Sequence, residues 1–456
     1  AGISGGVGIF DYSLTLSRRS TAGISVASEA RGNSERDGFS SNTAAARLGL
    51  EPTELLRIDL ILRATDSEKE LDEDFGLGIE DDPNFDSETK RRYYRLQGRL
   101  ALFDGLWEQT LGYSVADHHR SSRNDTDTSH PDNSSRSTLD ATLTKADWQH
   151  NLFLHETNTL VVGIETQKET GSSEFLFESE FGTFESRFPE KSATIDSIYI
   201  MDQLAFADSF FATVGVRVDE HSDFGTQQTE RVTAAYLVPG TGTKLKATYG
   251  TGFRAPSLIE LYSAPPFGNP DLKPERSVGW DAGVEQPFLG SRLVLDVTYF
   301  VNEFEDLIAF GAGGLENSAE AEAHGYEWTV SIVPAATFRA DLGFTRTVTE
   351  DKSTGRSLLR RPENKFSVNL AYRPVESLRF GLHEVHVGER RDMDFSTFER
   401  VTLEAYTLVT LTAAWEILEG VRLFGRVENL LDEEYEEAFG FGSRGQAFFA
   451  GAGATF

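Results

Sequence analysis

Apolar and polar residues alternate through almost the whole chain of 456 residues. In the stretch LVLDVTYF, Leu295, Val297 and Tyr299 would share one face of an extended strand, and Asp296 and Thr298 the other. No run approaches the roughly 18 apolar residues that suggest a transmembrane helix. The pattern therefore predicts an all-β fold. About 21 candidate strands can be assigned, at 7–20, 22–31, 42–50, 53–66, 91–104, 107–118, 137–148, 150–168, 191–206, 208–220, 226–237, 242–251, 277–287, 289–302, 323–333, 335–348, 362–373, 377–388, 402–415, 419–428 and 444–456.

The connections between these strands fall into two classes of length. Short connections include 17–21, 51–54, 207–209, 239–242 and 333–337. Long connections include 67–90, 119–136, 169–190, 252–276, 303–322, 349–361, 389–401 and 429–443. Short turns on one rim and long loops on the other are typical of outer-membrane barrels, whereas a soluble β-sandwich has no reason to show them. Because bacterial single-chain barrels have an even number of strands, we expect a transmembrane antiparallel β-barrel of about 22 strands, with one missed near the N-terminus.

The composition is typical of an exported protein. The chain has no cysteine, which removes disulfides, cysteine-ligated zinc and thiol catalysis. Its formal net charge of −30 argues against a nucleic-acid partner, because such a partner requires clustered Lys and Arg. The opening residues AGISGGVGIF lack the basic start and apolar core of a signal peptide, so we expect any targeting segment to have been removed.

Several motifs resemble one family of membrane proteins. The stretch 249–280 contains FRAPSLIELY and NPDLKPERS, LLRRPENK follows at 358–365, and NLLDEEYEE follows at 429–437. Together with the terminal alternating strand, these motifs resemble the barrel of TonB-dependent outer-membrane transporters. The segments 77–100 and 134–148 are similar, more particularly, to the vitamin B12 branch of that family. The residues that carry the family resemblance are Phe253, Arg254, Pro256, Tyr262, Asn269, Pro270, Pro274, Glu275, Arg360, Arg361, Asn429, Tyr435 and Phe456.

The motif residues also predict local structure. Pro270 and Pro274 fix φ and interrupt regular ladder pairing, so the segment around them should be a stiff connector that leads back into a strand. For Arg254 we expect a contact with a carboxylate or a neighbouring loop, a structural role rather than a substrate contact. For Arg360 and Arg361 we expect salt bridges on the rim or wall. Barrel lumens of this family are lined with charges that hold a plug, so a lumenal position would also fit.

The resemblance implies a role in nutrient uptake across the outer membrane of a Gram-negative bacterium. The nutrient would be large and scarce. The first candidate is a corrinoid such as vitamin B12, and the second is an iron siderophore or another metal chelate. The resemblance also implies contact with outer-membrane lipid and lipopolysaccharide. Inside the barrel it implies a plug domain, through which a TonB-type energy-coupling complex acts.

The plug is the point at which the sequence departs from the family pattern. No segment resembles a plug, so residues 1–456 are interpreted as a single barrel. We favour a plug that is either a separate polypeptide or a removed part of the same one. The alternative is that the chain is a plugless passive channel. A barrel whose loops bind a ligand or mediate adhesion is a further alternative. An enzyme is not expected, because GxSxG is absent and no nucleophile–base pair can be argued from spacing.

An acidic segment suggests a metal site. Residues 66–88 contain eleven Asp or Glu and one Lys, and such a segment must form a long polar loop. Carboxylate oxygens suit calcium, and the B12 branch, whose extracellular loops bind calcium, strengthens that hypothesis, although no EF-hand spacing is present. A solvated acidic loop is the alternative. No other cofactor is predicted. The candidate calcium ligands are Asp72, Asp74, Asp81, Asp82 and Asp86.

A second polar segment suggests a weaker metal hypothesis. It contains three histidines, and histidine is the commonest ligand of transition metals. Their spacing is irregular, and the stretch NDTDTS is typical of a mobile loop. The residues concerned are His118, His119 and His130, with Asp117, Asp125, Asp127 and Asp132.

Overall fold

The structure is a computed structural model that describes residues 1–74, 79–128, 130–311 and 313–455. Strands dominate it. They are β1 (Gly2–Val7), β2 (Phe10–Thr21), β3 (Phe39–Thr53), β4 (Leu56–Glu70), β5 (Glu73–Asp74), β6 (Ile79–Glu80), β7 (Asp86–Leu102), β8 (Trp107–Asn124), β9 (Ser134–His155), β10 (Asn158–Ser179), β11 (Gly182–Phe206), β12 (Phe210–His221), β13 (Gly225–Leu237), β14 (Lys244–Arg254), β15 (Glu275–Phe288), β16 (Leu293–Gly311), β17 (Gly314–Ala335), β18 (Phe338–Asp351), β19 (Asn364–Val375), β20 (Leu378–Val387), β21 (Arg390–Asp394), β22 (Glu399–Leu403), β23 (Tyr406–Leu418), β24 (Val421–Glu428) and β25 (Ala447–Ala454). Helical structure is limited, in the described residues, to a 3-10 turn at Glu29–Arg31 and the short helix α1 (Leu258–Tyr262).

Most of these strands belong to one antiparallel meander. Twenty-one of them form a single sheet in which each strand pairs with its neighbours along the chain. The pairs β5–β6 and β21–β22 form two separate ribbons inside long connections. One end of the sheet carries short turns, and the other carries the long connections together with a few tight hairpin turns. These ends are called the short-turn rim and the long-loop rim.

The two faces of the sheet differ in chemistry. On one face Leu245, Val284 and Val297 pair across three strands and are 43%, 44% and 40% exposed. Such a row of open apolar side chains is unfavourable in water and suits contact with lipid. On the opposite face charged side chains pair with each other, as Lys246 and Asp296 do at 2.7 Å. The predicted all-β architecture with an antiparallel sheet is confirmed, and the described residues form a sheet of 21 strands where about 22 were expected.

The strand predicted at 22–31 is wrong. The backbone amides of Val26 and Ala27 donate to the carboxylates of Asp37 and Asp72, each at 2.5 Å, instead of to a strand neighbour. Acidic side chains near a backbone compete with ladder pairing in this way. The segment therefore forms a loop with one 3-10 turn.

The first strand was missed by the sequence assignment. β1 pairs with β2 through a turn at 8–9, where Gly8 has φ 62°, a conformation that glycine adopts without strain. The turn predicted at 17–21 lies instead inside β2. The sheet and the sequence assignment both give 21 strands because the false strand and the missed strand offset each other.

Two predicted loops are hairpins that extend the sheet. Residues 169–190 belong to β10 and β11, which pair up to Ser179 and Gly182. Residues 303–322 belong to β16 and β17, which pair up to Gly311 and Gly314. Positive φ angles at Gly182 and Gly314 permit the tight reversals. No helix in the described part of the chain is both long and apolar enough to cross a membrane.

Candidate functional site

Two long connections fold against each other at the long-loop rim. The first, 22–38, joins β2 to β3, and the second, 71–85, joins β4 to β7. Carboxylate oxygens of Glu35, Asp72 and Asp81 lie within 4.8 Å of one another. The arrangement is one that could hold a cation. The acidic loop site consists of Glu35, Asp37, Asp72, Asp81 and Asp82.

Backbone amides fold these loops around the carboxylates. Asp72 accepts hydrogen bonds from the amide of Ala27 at 2.5 Å and from the amide of Asp82 at 3.1 Å. One oxygen of Asp81 accepts from the amides of Ser34 at 2.7 Å and Glu35 at 3.1 Å. These charge-assisted bonds, rather than strand pairing, fix the loop conformation.

Two oxygens of the site have no hydrogen-bond donor. Glu35 Oε2 and Asp37 Oδ1 are buried, and no described residue donates to either of them. Burial, followed by the charges of Asp37 and Asp72, raises the pKa of Glu35 to about 7. Burial also raises the pKa of Asp37 to about 6, although the amide of Val26 opposes the shift. Carboxylates in this environment are neutralised either by protons or by a cation.

The structure gathers three of the five candidate calcium ligands. Asp72, Asp81 and Asp82 belong to the acidic loop site. Asp86 does not join them, because it begins β7 and pairs across the ladder with Glu70. Asp74 belongs to the short strand β5, and its side chain lies outside the described residues.

Sequence reasoning missed Glu35 and Asp37, which follow the wrongly assigned strand at 22–31. The signal was the polar stretch SERDG at 34–38, which places two acids directly before β3. Their pairing with the acidic segment depends on how the two loops pack, and residue spacing does not report that packing.

A third loop, 125–133, approaches the acidic loop site. His130 Nδ1 lies 3.8 Å from Asp82 Oδ2 and 3.7 Å from Asp127 Oδ1. The other two histidines of the metal hypothesis, His118 and His119, remain in the ladder of β8, because both pair with β9. His119 Nδ1 lies 2.7 Å from a carboxylate oxygen of Asp140. The loop therefore brings one histidine, and not three, to the site.

The acidic residues of that hypothesis separate in the same way. Asp117 is in β8 and accepts a hydrogen bond from Thr142 at 2.9 Å. Asp125 accepts from Arg136 at 3.3 Å. Asp132 is exposed on the loop. Only Asp127 of the four lies among the candidate ligand groups formed by described residues.

The first family motif forms a clamp at the base of another loop. Phe253 and Arg254 end β14, and Pro256 leads into α1, which has a capping box between Ser257 and Glu260. The guanidinium of Arg254 donates to Glu260 at 3.0 and 3.1 Å. Although burial raises the pKa of Glu260, hydrogen bonds from Arg254 and Ser257 outweigh it and hold the pKa below the ordinary value.

The connector that follows α1 is tied down at several points. Tyr262 packs against Phe188, with ring centroids 6.4 Å apart. The amide of Asn269 donates to the carbonyl of Glu260 at 2.7 Å, and its side chain donates to the carbonyl of Leu315 at 2.8 Å. Pro270 and Pro274 flank the rest of the connector, and β15 begins at Glu275.

The remaining motif residues join three further loops. Arg360 Nε lies 2.8 and 2.9 Å from the two oxygens of Asp392, which is fully buried and also accepts from the amide of Phe439 at 2.8 Å. Arg361 is exposed and donates to the carbonyl of Arg360 at 3.3 Å. Both arginines therefore lie in loop contacts at the long-loop rim.

The last motif forms a compact turn after β24. Asn429 donates to the carbonyls of Glu433 at 2.9 Å and Arg444 at 3.2 Å. Tyr435 stacks on Tyr406 with a centroid separation of 4.2 Å. Phe456 lies outside the described residues.

Comparisons with known sequences agree with these motifs. The sequence model of the family described as TonB dependent receptor-like, beta-barrel matches residues 21–430. The vitamin B12 transporter BtuB of Photobacterium profundum is 25% identical over 427 residues, which cover 91% of this chain and 64% of that protein. BtuB of Vibrio vulnificus is 32% identical over 252 residues, which cover 53% of this chain and 38% of that protein. The chain thus spans less than two thirds of the length of these relatives.

Solved structures show the same fold. The siderophore receptor PirA from Acinetobacter baumannii has a TM-score of 0.81 and 17% identity, with 100% of this chain and 77% of that chain covered. The copper transporter OprC has a TM-score of 0.81 and 17% identity, with 99% and 77% covered. At these identities the likeness establishes the fold alone.

Proposed function

The chain belongs to the TonB-dependent receptor β-barrel family, and from this premise we propose that it forms the barrel of an outer-membrane nutrient transporter. The proposed nutrient is large and scarce, with a corrinoid first and an iron siderophore or other metal chelate second. The proposed location is the outer membrane of a Gram-negative bacterium. There the exposed apolar face of the sheet would contact lipid, and the long-loop rim would face lipopolysaccharide and the exterior.

One observation carries the choice of a corrinoid. Sequence similarity to a vitamin B12 transporter extends over 91% of this chain, whereas the siderophore receptors are similar in fold only. The net charge also favours a corrinoid over a metal chelate, because a chain with a net charge of −30 repels an anionic chelate more strongly than a neutral corrinoid.

We propose calcium as the ion of the acidic loop site. The residues fit such an ion, because Glu35 Oε2 and Asp37 Oδ1 are buried acceptors with no donor in the described chain. Calcium takes about six to eight oxygen ligands, and Glu35, Asp72 and Asp81 would supply several of them. The bound charge would hold the loops 22–38 and 71–85 together at the mouth of the barrel.

A plug and an energy-coupling complex complete the proposal. The barrel would hold a plug, and a TonB-type complex would act on that plug. The charged face of the sheet supports such a contact, since Glu165 binds Lys145 at 2.6 Å and Arg217 at 3.2 Å. A polar inner wall of this kind can hydrogen-bond a folded domain that moves against it.

Purification from native outer membranes tests the proposal directly. We expect the purified protein to bind cyanocobalamin more tightly in calcium than after chelation. Asp72→Asn should abolish the calcium effect, while the matched variant Asp86→Asn should leave it unchanged. Binding of a ferric siderophore alone would move the assignment to the second nutrient class. A large ungated conductance in planar bilayers, without ligand binding, would replace the transporter by a passive channel.

A further inference from the structure

Asp82 is a buried carboxylate that lacks a strong positive partner. Its side chain is fully buried, and it accepts hydrogen bonds from the amide of Asn84 at 3.3 Å and from Asn124 Nδ2 at 2.5 Å. No Lys or Arg of the described chain lies within ion-pair distance of it. Two neutral donors do not compensate a buried negative charge, so this position calls for a cation.

The third loop brings a nitrogen donor to the same carboxylate. His130 is 12% exposed and Asp127 is 16% exposed, and Nδ1 of His130 lies 3.8 Å from Asp82 and 3.7 Å from Asp127. Two ligand atoms on a tetrahedral zinc ion, bound at about 2.0–2.2 Å, lie about 3.3–3.6 Å apart. The two distances from His130 therefore exceed this range by only a few tenths of an ångström, and the ligand atoms of all three residues lie within 4.8 Å of one another.

The amide of Asn124 supplies an independent indication of a ligand. Asn124 is 1% exposed, and its Nδ2 is directed at Asp82. The carbonyl oxygen Oδ1 of the same amide is also buried and accepts no hydrogen bond from any residue that the structure describes. A buried acceptor without a donor costs free energy unless a bound ion or water satisfies it.

We propose that Asp82, Asp127, His130 and Asn124 form a second metal site, for a divalent transition-metal ion of the zinc type. The imidazole decides the class of ion, because nitrogen ligands suit zinc, nickel and copper, whereas calcium takes oxygen ligands. The site adjoins the acidic loop site through the hydrogen bond between Asp82 and Asp72. A metal ion here would fix the loop 125–133 to the loop 71–85. The proposal of this second site does not depend on the proposed transport activity.

The loop geometry is already arranged for this role. The backbone amide of His130 donates to Asp127 at 2.7 Å, which folds the loop back and places both side chains together. Asn84 links the same two loops, since it donates to Asp127 at 3.4 Å and accepts from the amide of Asp125 at 3.1 Å.

Zinc titration of the purified, chelator-stripped barrel tests the proposal. With calcium in excess to saturate oxygen sites, a competing chromophoric chelator should report one tightly bound Zn²⁺ per chain. His130→Asn and Asp127→Asn should each weaken Zn²⁺ binding at least about tenfold, a loss at least as large as that seen for residues that only support metal ligands. His119→Asn, in the neighbouring strand, should have no effect.

A second readout separates the site from a simple histidine–carboxylate ion pair. Co²⁺ bound to the chain should give visible d–d absorption that disappears in His130→Asn, while the thermal unfolding of that variant in detergent shows that the barrel is intact. Equal Zn²⁺ affinity in the wild type and in an intact His130→Asn variant would overturn the proposal. So would complete displacement of Zn²⁺ by the excess calcium.

Discussion

Arg254 and Glu275 form a bidentate ion pair that joins the end of β14 to the start of β15. Nε lies 2.7 Å from Oε2, and Nη2 lies 2.8 Å from Oε1. The same guanidinium donates twice to Glu260 in α1. One side chain therefore anchors the loop 255–274 both at its base and at its helix, which is a geometry that a lysine cannot reproduce.

Arg254→Ala should loosen this loop without unfolding the protein. Because Arg254 is 48% exposed, water screens its pairs, and we expect the global free energy of unfolding to fall by less than about 1 kcal/mol. Amide hydrogen exchange in Leu258–Tyr262 should become about tenfold faster, equivalent to about 1.4 kcal/mol of local opening. The matched control is Arg187→Ala, which breaks an exposed pair with Glu174 on the same rim. An equal rise in exchange in that control would contradict the role given to Arg254.

Asp392→Ala should destabilise three loops together. Asp392 is fully buried and accepts from Arg360 and from the amide of Phe439. Removing it leaves that amide without its partner, at a cost of about 1–3 kcal/mol. Limited proteolysis should then cut 352–363 and 429–446 faster than in the wild type. Asp394→Ala is the control, because Asp394 lies on the same ribbon but is only partly buried and accepts hydrogen bonds from Ser396 nearby. Unchanged cleavage in Asp392→Ala would show that the loops are held by other contacts.

The alternation of apolar and polar residues predicted most of the sheet, because each strand has one face toward an apolar environment and the other face toward charged side chains. Leu295, Val297 and Tyr299 show that period in the sequence, and in the sheet Val297 pairs with Val284 on the apolar face. The period fails where side chains replace the ladder, as at Val26 and Ala27. The period also does not show where a strand ends when its polar part continues beyond the apolar face of the sheet. In β10, for example, pairing continues up to Ser179, inside a predicted loop.

The site was less predictable than the sheet for a related reason. Asp72, Asp81 and Asp82 were found because they are concentrated in one acidic segment. Glu35 and His130 join them from other loops, and no local pattern encodes the packing of three loops. Asp86 lies in the same acidic segment but does not reach the site, because it is paired with Glu70 in the ladder between β4 and β7.

Val284→Arg should strongly destabilise the membrane-inserted state. Val284 is 44% exposed on the apolar face, between Trp280 and Phe288 on the same side of β15. An arginine at the bilayer midplane of a barrel costs about 2–4 kcal/mol. The midpoint of guanidinium unfolding in lipid vesicles measures the loss. Thr248→Arg places the same side chain on the charged face opposite Asp281, and it should change the midpoint little. If both variants lost the same stability, the assignment of the two faces would fail.

Calcium binding at the acidic loop site should strengthen as the pH rises toward 7. Burial raises the pKa of Glu35 from 4.5 to about 7 and that of Asp37 to about 6, so the metal-free loops hold protons that calcium must displace. The raised pKa values also mean that the metal-free loops are most stable when these groups are protonated. That stabilisation disappears as the pH rises from about 4.5 through the folded-state pKa values.

The calcium dissociation constant, measured by isothermal titration in detergent, should fall by up to about tenfold per pH unit for each proton displaced below pH 7 and then level off. Glu35→Gln removes the group with the higher pKa, so the affinity should level off nearer pH 6, at a weaker value. Glu29→Gln, an exposed change in the same loop, should keep the wild-type profile. A calcium affinity that stayed constant between about pH 5 and 8 would refute the proton competition on which this expectation depends.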